Sequence, residues 1–395
     1  MNTDRKLIEE LYKSLSPSVI ELVDRSVNSV VQAKEGGGKV VVVTGSGPNI
    51  HEGVTTLIAE LISKGVIDGV TTSSAVVAHE MAGVLDIVRR VDGKKLGFSK
   101  NKLPMGELFE ITKMSSELLV QLKWEMIIDE VLMKRGLELE GDEIIKAAGN
   151  MAYPMGLRTE NLSKEIKLIA RSKGVPFEVV AGAGADKRTM LGAAAKRNIP
   201  CLVSVPQLIG GGAVGIAIAD SISILERTSK IAKMMGSADV IIESAVALTQ
   251  EIHDGPFETF TGHGIWADWE GYPTYSLAEK TLIRIDLDSN LKKAWDMEKE
   301  SSTVQDAIDK GEPKTKVTGI PFRMEMSGFA RLEKSIPIVG DIGVIWPVMA
   351  HLLEQRLGIE LEFMSYPQQS SEGQEMRKWI VENIQPIRKE KLILK

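Results

Sequence analysis

Lys39-Val40-Val41-Val42-Val43-Thr44-Gly45-Ser46-Gly47-Pro48 is the stretch on which the fold reading turns. Its four consecutive valines form a run short enough, and β-branched enough, for a strand buried on both faces. The run stops in small and polar residues. Over 53–63, Val54, Leu57, Ile58, Leu61 and Ile62 recur at helical spacing, with Gly65 as the C-cap. Residues 66–72 read as a second strand, which completes a strand-helix-strand unit.

Outward from this unit the alternation continues. Residues 163–172 and 189–197 read as helices, and Phe177-Glu178-Val179-Val180 and 201–205 read as strands. Further strands are expected at 240–243, 282–287 and 336–339. Such alternation predicts an α/β fold: a doubly wound, mostly parallel, Rossmann-like sheet with helices on both faces. Upstream, Leu15-Ser16-Pro17-Ser18 opens a helix carried by Val19, Ile20, Val23, Val27, Val30 and Val31, and Glu35-Gly36-Gly37-Gly38 ends it. Residues 1–38 are therefore read as an N-terminal helical arm. Residues 39–395 are read as one large α/β nucleotide-binding domain with a polar, helical insertion around 94–155. The charged stretch 287–316 is read as a solvated helix.

Composition narrows the function classes. The 395 residues carry 48 Lys+Arg against 54 Asp+Glu, a net charge of -6, which argues against a nucleic-acid partner. The single cysteine, Cys201, excludes a disulfide framework and reads as inert core, so a reducing, cytoplasmic setting is expected. The first residues lack the apolar segment of a signal peptide. The most apolar window, 203–225, is broken by Gly210-Gly211-Gly212 and by Asp220, Ser221 and Ser223, so no membrane partner is expected.

In open parallel sheets, ligands bind beyond the carboxyl ends of the strands. Five stretches fall there: 44–51, 71–80, 181–186, 207–215 and 340–343. Glycine allows close backbone approach to a pyrophosphate, so Thr44, Gly45, Ser46, Gly47, Thr71, Thr72, Ser73, Ser74, Gly210, Gly211, Gly212 and Gly343 are candidate cofactor contacts. None of these loops has the G-x-x-x-x-G-K-[ST] pattern, and Gly45-Ser46-Gly47 lacks the third glycine of G-x-G-x-x-G. Each cluster alone also suits a tight strand-to-helix turn.

A second concentration is Glu251-Ile252-His253-Asp254-Gly255, followed by Thr261-Gly262-His263-Gly264-Ile265-Trp266. Neutral histidine can act as a base and carboxylates can hold an amine. Glu251, His253, Asp254 and His263 are thus candidate catalytic residues; the alternative is a surface loop with hydrogen-bonded histidines. Their spacing matches no metal signature, and no metal is assigned. His79, paired with Glu80 at an expected helix start, is a further candidate base, with capping as its plain alternative. His51 sits similarly after the first glycine loop, and His351 reads as an ordinary helix residue.

The order of these motifs resembles that in deoxyhypusine synthase. The segments Thr44-Gly45-Ser46-Gly47-Pro48 and Val70-Thr71-Thr72 are similar to its NAD-binding unit, and Ala238-Asp239 with Gln250-Glu251 to its substrate loop. Ala75-Val76-Val77-Ala78-His79-Glu80 more closely resembles the carboxyl domain of LOR/SDH, archaeal ornithine cyclodeaminase-like proteins. Gly340-Asp341-Ile342-Gly343 is similar to nucleotide-proximal segments of both groups, which implies that Asp341 binds a ribose hydroxyl. The resemblance implies an NAD-dependent enzyme acting on a small amine or amino acid through a transient imine, in a homo-oligomer, with a tetramer the expected size. The synthase's imine-forming lysine has no counterpart, because its place reads His263-Gly264-Ile265-Trp266, so a true deoxyhypusine synthase is not expected. An NAD-independent hydrolase or lyase using His253 and His263, and a non-catalytic ligand-binding protein, stay open.

Overall fold

The computed structural model describes residues 3–45, 47–104, 106–148, 152–245, 279–286, 302–312 and 334–392, the pairs 268–269 and 272–273, and a few single positions between 289 and 319. Helices α1 (Arg5–Ser14) and α2 (Pro17–Glu35) lead into β1 (Val40–Thr44), α3 (Gly47–His51), α4 (Val54–Ser63), β2 (Gly69–Thr72) and α5 (Ser74–Met81). An inserted section follows, with β3 (Leu85–Asp92), β4 (Leu108–Thr112), α6 (Ser116–Glu125), α7 (Glu130–Glu138) and β5 (Asp142–Ala147). The core resumes with α8 (Met155–Lys173), α9 (Phe177–Gly184), α10 (Met190–Arg197), β6 (Cys201–Val203), α11 (Ala213–Ala219), α12 (Ile224–Gly236) and β7 (Val240–Ser244). Beyond it lie the short pair β8 (Asp268–Trp269) and β9 (Tyr272–Pro273), then β10 (Thr281–Asp286), α13 (Ser302–Asp309), β11 (Ser335–Val339), α14 (Ile342–Leu357) and α15 (Ser371–Asn383).

Six strands form the core sheet in the order β11-β10-β7-β1-β2-β6, and every pairing is parallel. Numbered among themselves and read from the β6 edge, the order is 3-2-1-4-5-6, the doubly wound Rossmann arrangement. The all-valine run of β1 lies at the centre: Val40 to Val43 are at most 1% exposed. Helices cover both faces, which is why no polar residue interrupts it.

The amino-terminal helices belong to the same core. The Ser16 hydroxyl accepts the Val19 N–H and Pro17 takes the first helical position of α2. Asp4 caps α1 in the same way, a helix within the 1–38 arm whose own start the sequence reading does not mark. Ile8, Val23, Val27 and Val30 are fully buried in the main cluster, and Arg5 reaches Glu354 of α14 at 2.6 Å.

Two stretches differ from expectation. Residues 177–180 are the first turn of α9 rather than a strand, so 181–186 is no carboxyl-end loop. Phe177, Val180, Ala181 and Gly184 are buried at helical spacing behind Pro176; a short apolar run alone does not distinguish a strand from a buried helical turn. The insertion contains two helices but is organised by an antiparallel sheet, β4-β3-β5, that already begins at Leu85. Its strand β3 is hidden in the sequence by charges, which the fold satisfies across the sheet: Arg90 pairs with Glu110 at 2.8 Å and Arg89 with Glu143.

Candidate functional site at the carboxyl edge of the sheet

The chain winds from β1 toward β2 and β6 on one side, and toward β7, β10 and β11 on the other. The reversal point lies between the carboxyl ends of β1 and β7, at Thr44 and Ser244, where ligands of this architecture bind. A buried network fixes the place. The Ser244 hydroxyl donates to Asn49 Oδ1 at 2.5 Å and accepts from Trp346 Nε1 at 2.8 Å, joining α3, β7 and α14. Ala245, directly after β7, holds φ at 85°, a left-handed conformation that costs alanine roughly 1–2 kcal/mol.

The threonine hydroxyls along this edge are unused among the described residues. Thr44 and Thr71 are fully buried and Thr72 is 1% exposed, yet none of the three hydroxyls has a hydrogen-bond partner among the described residues. The Ser204 hydroxyl, just past β6, is in the same position. Buried polar atoms normally find partners; Thr44 and Thr72 end neighbouring strands on one face, where a hydroxyl- or phosphate-bearing ligand can engage them, while Thr71 points to the opposite face.

The candidate glycines divide into two groups. Among the described residues, a Cβ on Gly47 would meet nothing within 4 Å, and one on Gly210 would meet only the Ser74 hydroxyl at 4.0 Å, so no packing among these residues requires glycine at either place. Gly211 lies against the backbone of Ser74, where a Cβ would come within 2.6 Å of its carbonyl oxygen. Gly212 has φ 59° and ψ -129°, open in practice only to glycine. Ser74 itself is committed, donating to the Gln207 carbonyl at 2.7 Å and accepting the Gly211 N–H at 2.8 Å. Ser73 caps α5 through the Val76 N–H. Gly343 is the close-approach point for Glu52, and Asp341 caps α14 by accepting the Gly343 N–H at 2.9 Å. Burial raises the Glu52 pKa, and the neighbouring Asp341 adds to that. Gly45 is buried at the end of β1, and Ser46 lies outside the described residues.

Beside this edge, the seam between the core and the antiparallel sheet gathers ionisable groups. Burial, then the positive field of His51 and Lys146, lowers His79 to about 4. His51 is likewise lowered, by burial and by Arg377, whose guanidinium lies 3.4 Å from its Nδ1. Both imidazoles are therefore neutral at neutral pH. Asp86 is 6% exposed; burial lifts its pKa to about 6, with Lys146 and then the Thr112 hydroxyl opposing the rise. Lys146 contacts Glu110, which it and Arg90 hold below the usual range although burial opposes them. Sequence reasoning singles out His79 but misses Asp86, Lys146 and Arg377. His79 and Glu80 sit in the last turn of α5 rather than at a helix start, and the Glu80 carboxylate caps a different helix, accepting the Met190 and Leu191 N–H groups of α10 at 2.8 and 3.0 Å.

Glu251, His253, Asp254 and His263 lie outside the described residues. Among the described residues no group of three or more His, Cys, Asp or Glu is placed to hold a metal, and no helix is long and apolar enough to cross a membrane. Cys201 is buried, and desolvation drives its thiol pKa well up, the state of an inert core cysteine.

No family model matches the chain, and no curated protein matches it. Solved structures similar to it include ArgZ, an arginine dihydrolase from the ornithine-ammonia cycle in cyanobacteria, at 14% identity and a TM-score of 0.41 over 87% of this chain and 32% of that one. AgrE in a ternary complex with ornithine and NAD+ aligns at 13% identity and 0.42, over 86% of this chain and 34% of that one. A conserved LOR/SDH protein of Methanococcus maripaludis S2 aligns at 14% identity and 0.40, over 87% of this chain and 71% of that one. The chain thus spans about a third of the length of ArgZ and AgrE.

Proposed function

We propose that this protein is an NAD-dependent enzyme that converts a small amine or amino acid through a transient imine. One observation carries the reading: the 3-2-1-4-5-6 strand order, whose reversal point sits where β1 runs into Gly45 and Gly47. The hydroxyls of Thr44 and Thr72 and Gly47, which have no partner or obstruction among the described residues, fit a dinucleotide at that edge. These residues would hold the cofactor, with Asp341 on a ribose hydroxyl. A nicotinamide bound there supplies hydride acceptance from the carbon bearing the amine.

The chain's own groups do the rest. Asp86, buried and making no ion pair among the described residues, suits a substrate amine, and a carboxyl titrating at about 6 is matched to taking a proton near neutral pH. His79, neutral and poorly basic, orients rather than deprotonates. Glu251, His253, Asp254 and His263 complete the proposal from the sequence, as does the homo-oligomer implied by the resemblance. Deoxyhypusine synthesis itself is not proposed, because the lysine that resemblance requires is missing.

Calorimetric titration with NAD tests the reading. Wild-type protein is expected to bind, and Gly47→Val to bind at least tenfold more weakly while melting at the same temperature, since a Cβ there meets no atom of the described residues within 4 Å. No binding by the wild type, or equal binding by the variant, would remove the cofactor from this edge.

A further inference from the structure

At the opposite, amino-terminal edge of the sheet, a hollow of about 790 Å³ opens beside β6. Its floor consists of small and apolar side chains of α9 and α10, including Val179, Ala183, Leu191 and Ala195. The helices close on each other at Gly182, where a Cβ would come within 2.7 Å of the Leu191 carbonyl oxygen, and their alanines leave the room above unfilled. Around the rim stand Lys39, Lys187, Lys196, Lys230 and Lys233. Lys230 pairs with Glu226 at 3.4 Å; the other four make no ion pair among the described residues. The carboxylate in the lining, Glu178, is already committed to Arg227. In a chain of net charge -6, this is a cationic rim set against the overall charge.

The edge of β6 adds a second feature. The Val203 N–H is taken by Glu178 at 2.7 Å and its carbonyl by Arg227 at 3.1 Å, which seals the sheet edge there. Backbone groups alternate sides along a strand, so the N–H and C=O of Cys201 face outward like those of Val203. Cys201 lines the hollow.

We propose that this hollow is a ligand site for a nucleoside di- or triphosphate, held through its free terminal phosphates and so distinct from NAD, whose two phosphates are both bridging, and separate from the carboxyl-edge crevice. A flat base has apolar faces for the alanine and leucine floor and a donor-acceptor edge for the Cys201 backbone. A polyphosphate matches several lysines at once, whereas a fatty acid would use one of them and leave the backbone pair unmatched. The volume lies within the range of small-molecule sites, roughly 300–1,000 Å³. The assignment does not rest on the NAD reading.

The test is calorimetry on the full chain with ATP, tripolyphosphate and laurate as separate probes. Ala195 and the rim residues Lys196 and Lys233 are exposed, so their variants leave the core intact. ATP is expected to bind at one site per chain. Lys196→Glu/Lys233→Glu is expected to weaken it about 100-fold, roughly tenfold per lysine. Ala195→Trp, which fills the hollow, is expected to weaken ATP at least tenfold. NAD affinity is expected to follow Gly47→Val and not Ala195→Trp, which keeps the two sites distinguishable. Absence of ATP binding overturns the proposal. So does tripolyphosphate binding as tightly as ATP with Ala195→Trp having no effect, which would show bare lysine electrostatics, or laurate displacing ATP.

Discussion

Arg227→Met is the perturbation whose cost the structure specifies most fully. Arg227 is 0% exposed and donates to Glu178 Oε1 at 2.5 Å, to the Val203 and Ile218 carbonyls at 3.1 Å each, and to the Ser221 hydroxyl at 3.4 Å. Replacement leaves the Glu178 carboxylate, itself 3% exposed, with the Val203 N–H alone. Removing one partner of such a buried pair costs about 3–5 kcal/mol. An unfolding entropy of about 2.1 cal/mol/K per residue over 395 residues makes that a fall of about 4–6 °C in Tm. Glu178→Gln is gentler: the amide oxygen keeps the Val203 N–H, and Arg227 keeps its two carbonyls and the serine. Scanning calorimetry of both variants is the assay. The reasoning is refuted if Glu178→Gln costs as much as Arg227→Met, or if Arg227→Met lowers Tm by less than about 1 °C.

Three further outcomes follow from the same geometry. Glu80 is raised to about 7 by burial, so it favours the folded state below its unfolded pKa near 4.5 and loses that contribution as pH rises through 7. Denaturant titrations should therefore show wild-type stability declining between pH 4.5 and 7 by up to about 3 kcal/mol relative to Glu80→Gln; parallel profiles would contradict the burial account. Asp86→Asn removes a buried carboxylate that burial holds up at about 6, so the variant should be at least as stable as wild type at pH 8 while losing turnover of any amine substrate. Loss of stability with activity intact would make Asp86 structural. Trp346→Phe deletes the bond to Ser244 at 2.8 Å, at a cost of about 1 kcal/mol, and should weaken NAD binding through Ser244 and Asn49. Unchanged NAD affinity would mean that this network does not shape the cofactor edge.

The core sheet is legible in the sequence because its strands are buried on both faces and rich in β-branched and apolar residues, Val40 to Val43 above all, even where Glu243 or Arg284 interrupts the run. Where local chemistry is ambiguous, the reading fails: Phe177-Glu178-Val179-Val180 has a strand's composition and a helix's burial. Strand β3 fails in the other direction, its arginines pairing with residues that are distant in the chain. The carboxyl-edge loops are found by the general rule for parallel sheets. The Asp86 seam is not, because Asp86, Lys146 and Arg377 come from β3, β5 and α15 and no local spacing joins them. The available hint is a lone carboxylate in Leu85-Asp86-Ile87-Val88.

The order of the strands also sets a schedule for synthesis. β1 takes β2 as a neighbour soon after it is made, but its other partner is β7, with Val40 opposite Val240 and Thr44 opposite Ser244. Two hundred residues separate those partners, which at about 5–20 residues per second is roughly 10–40 s of translation. Through that interval the valine strand at the heart of the finished sheet is an open edge. A nascent chain arrested before residue 240 should therefore be the species that chaperones hold and that aggregates when they are absent.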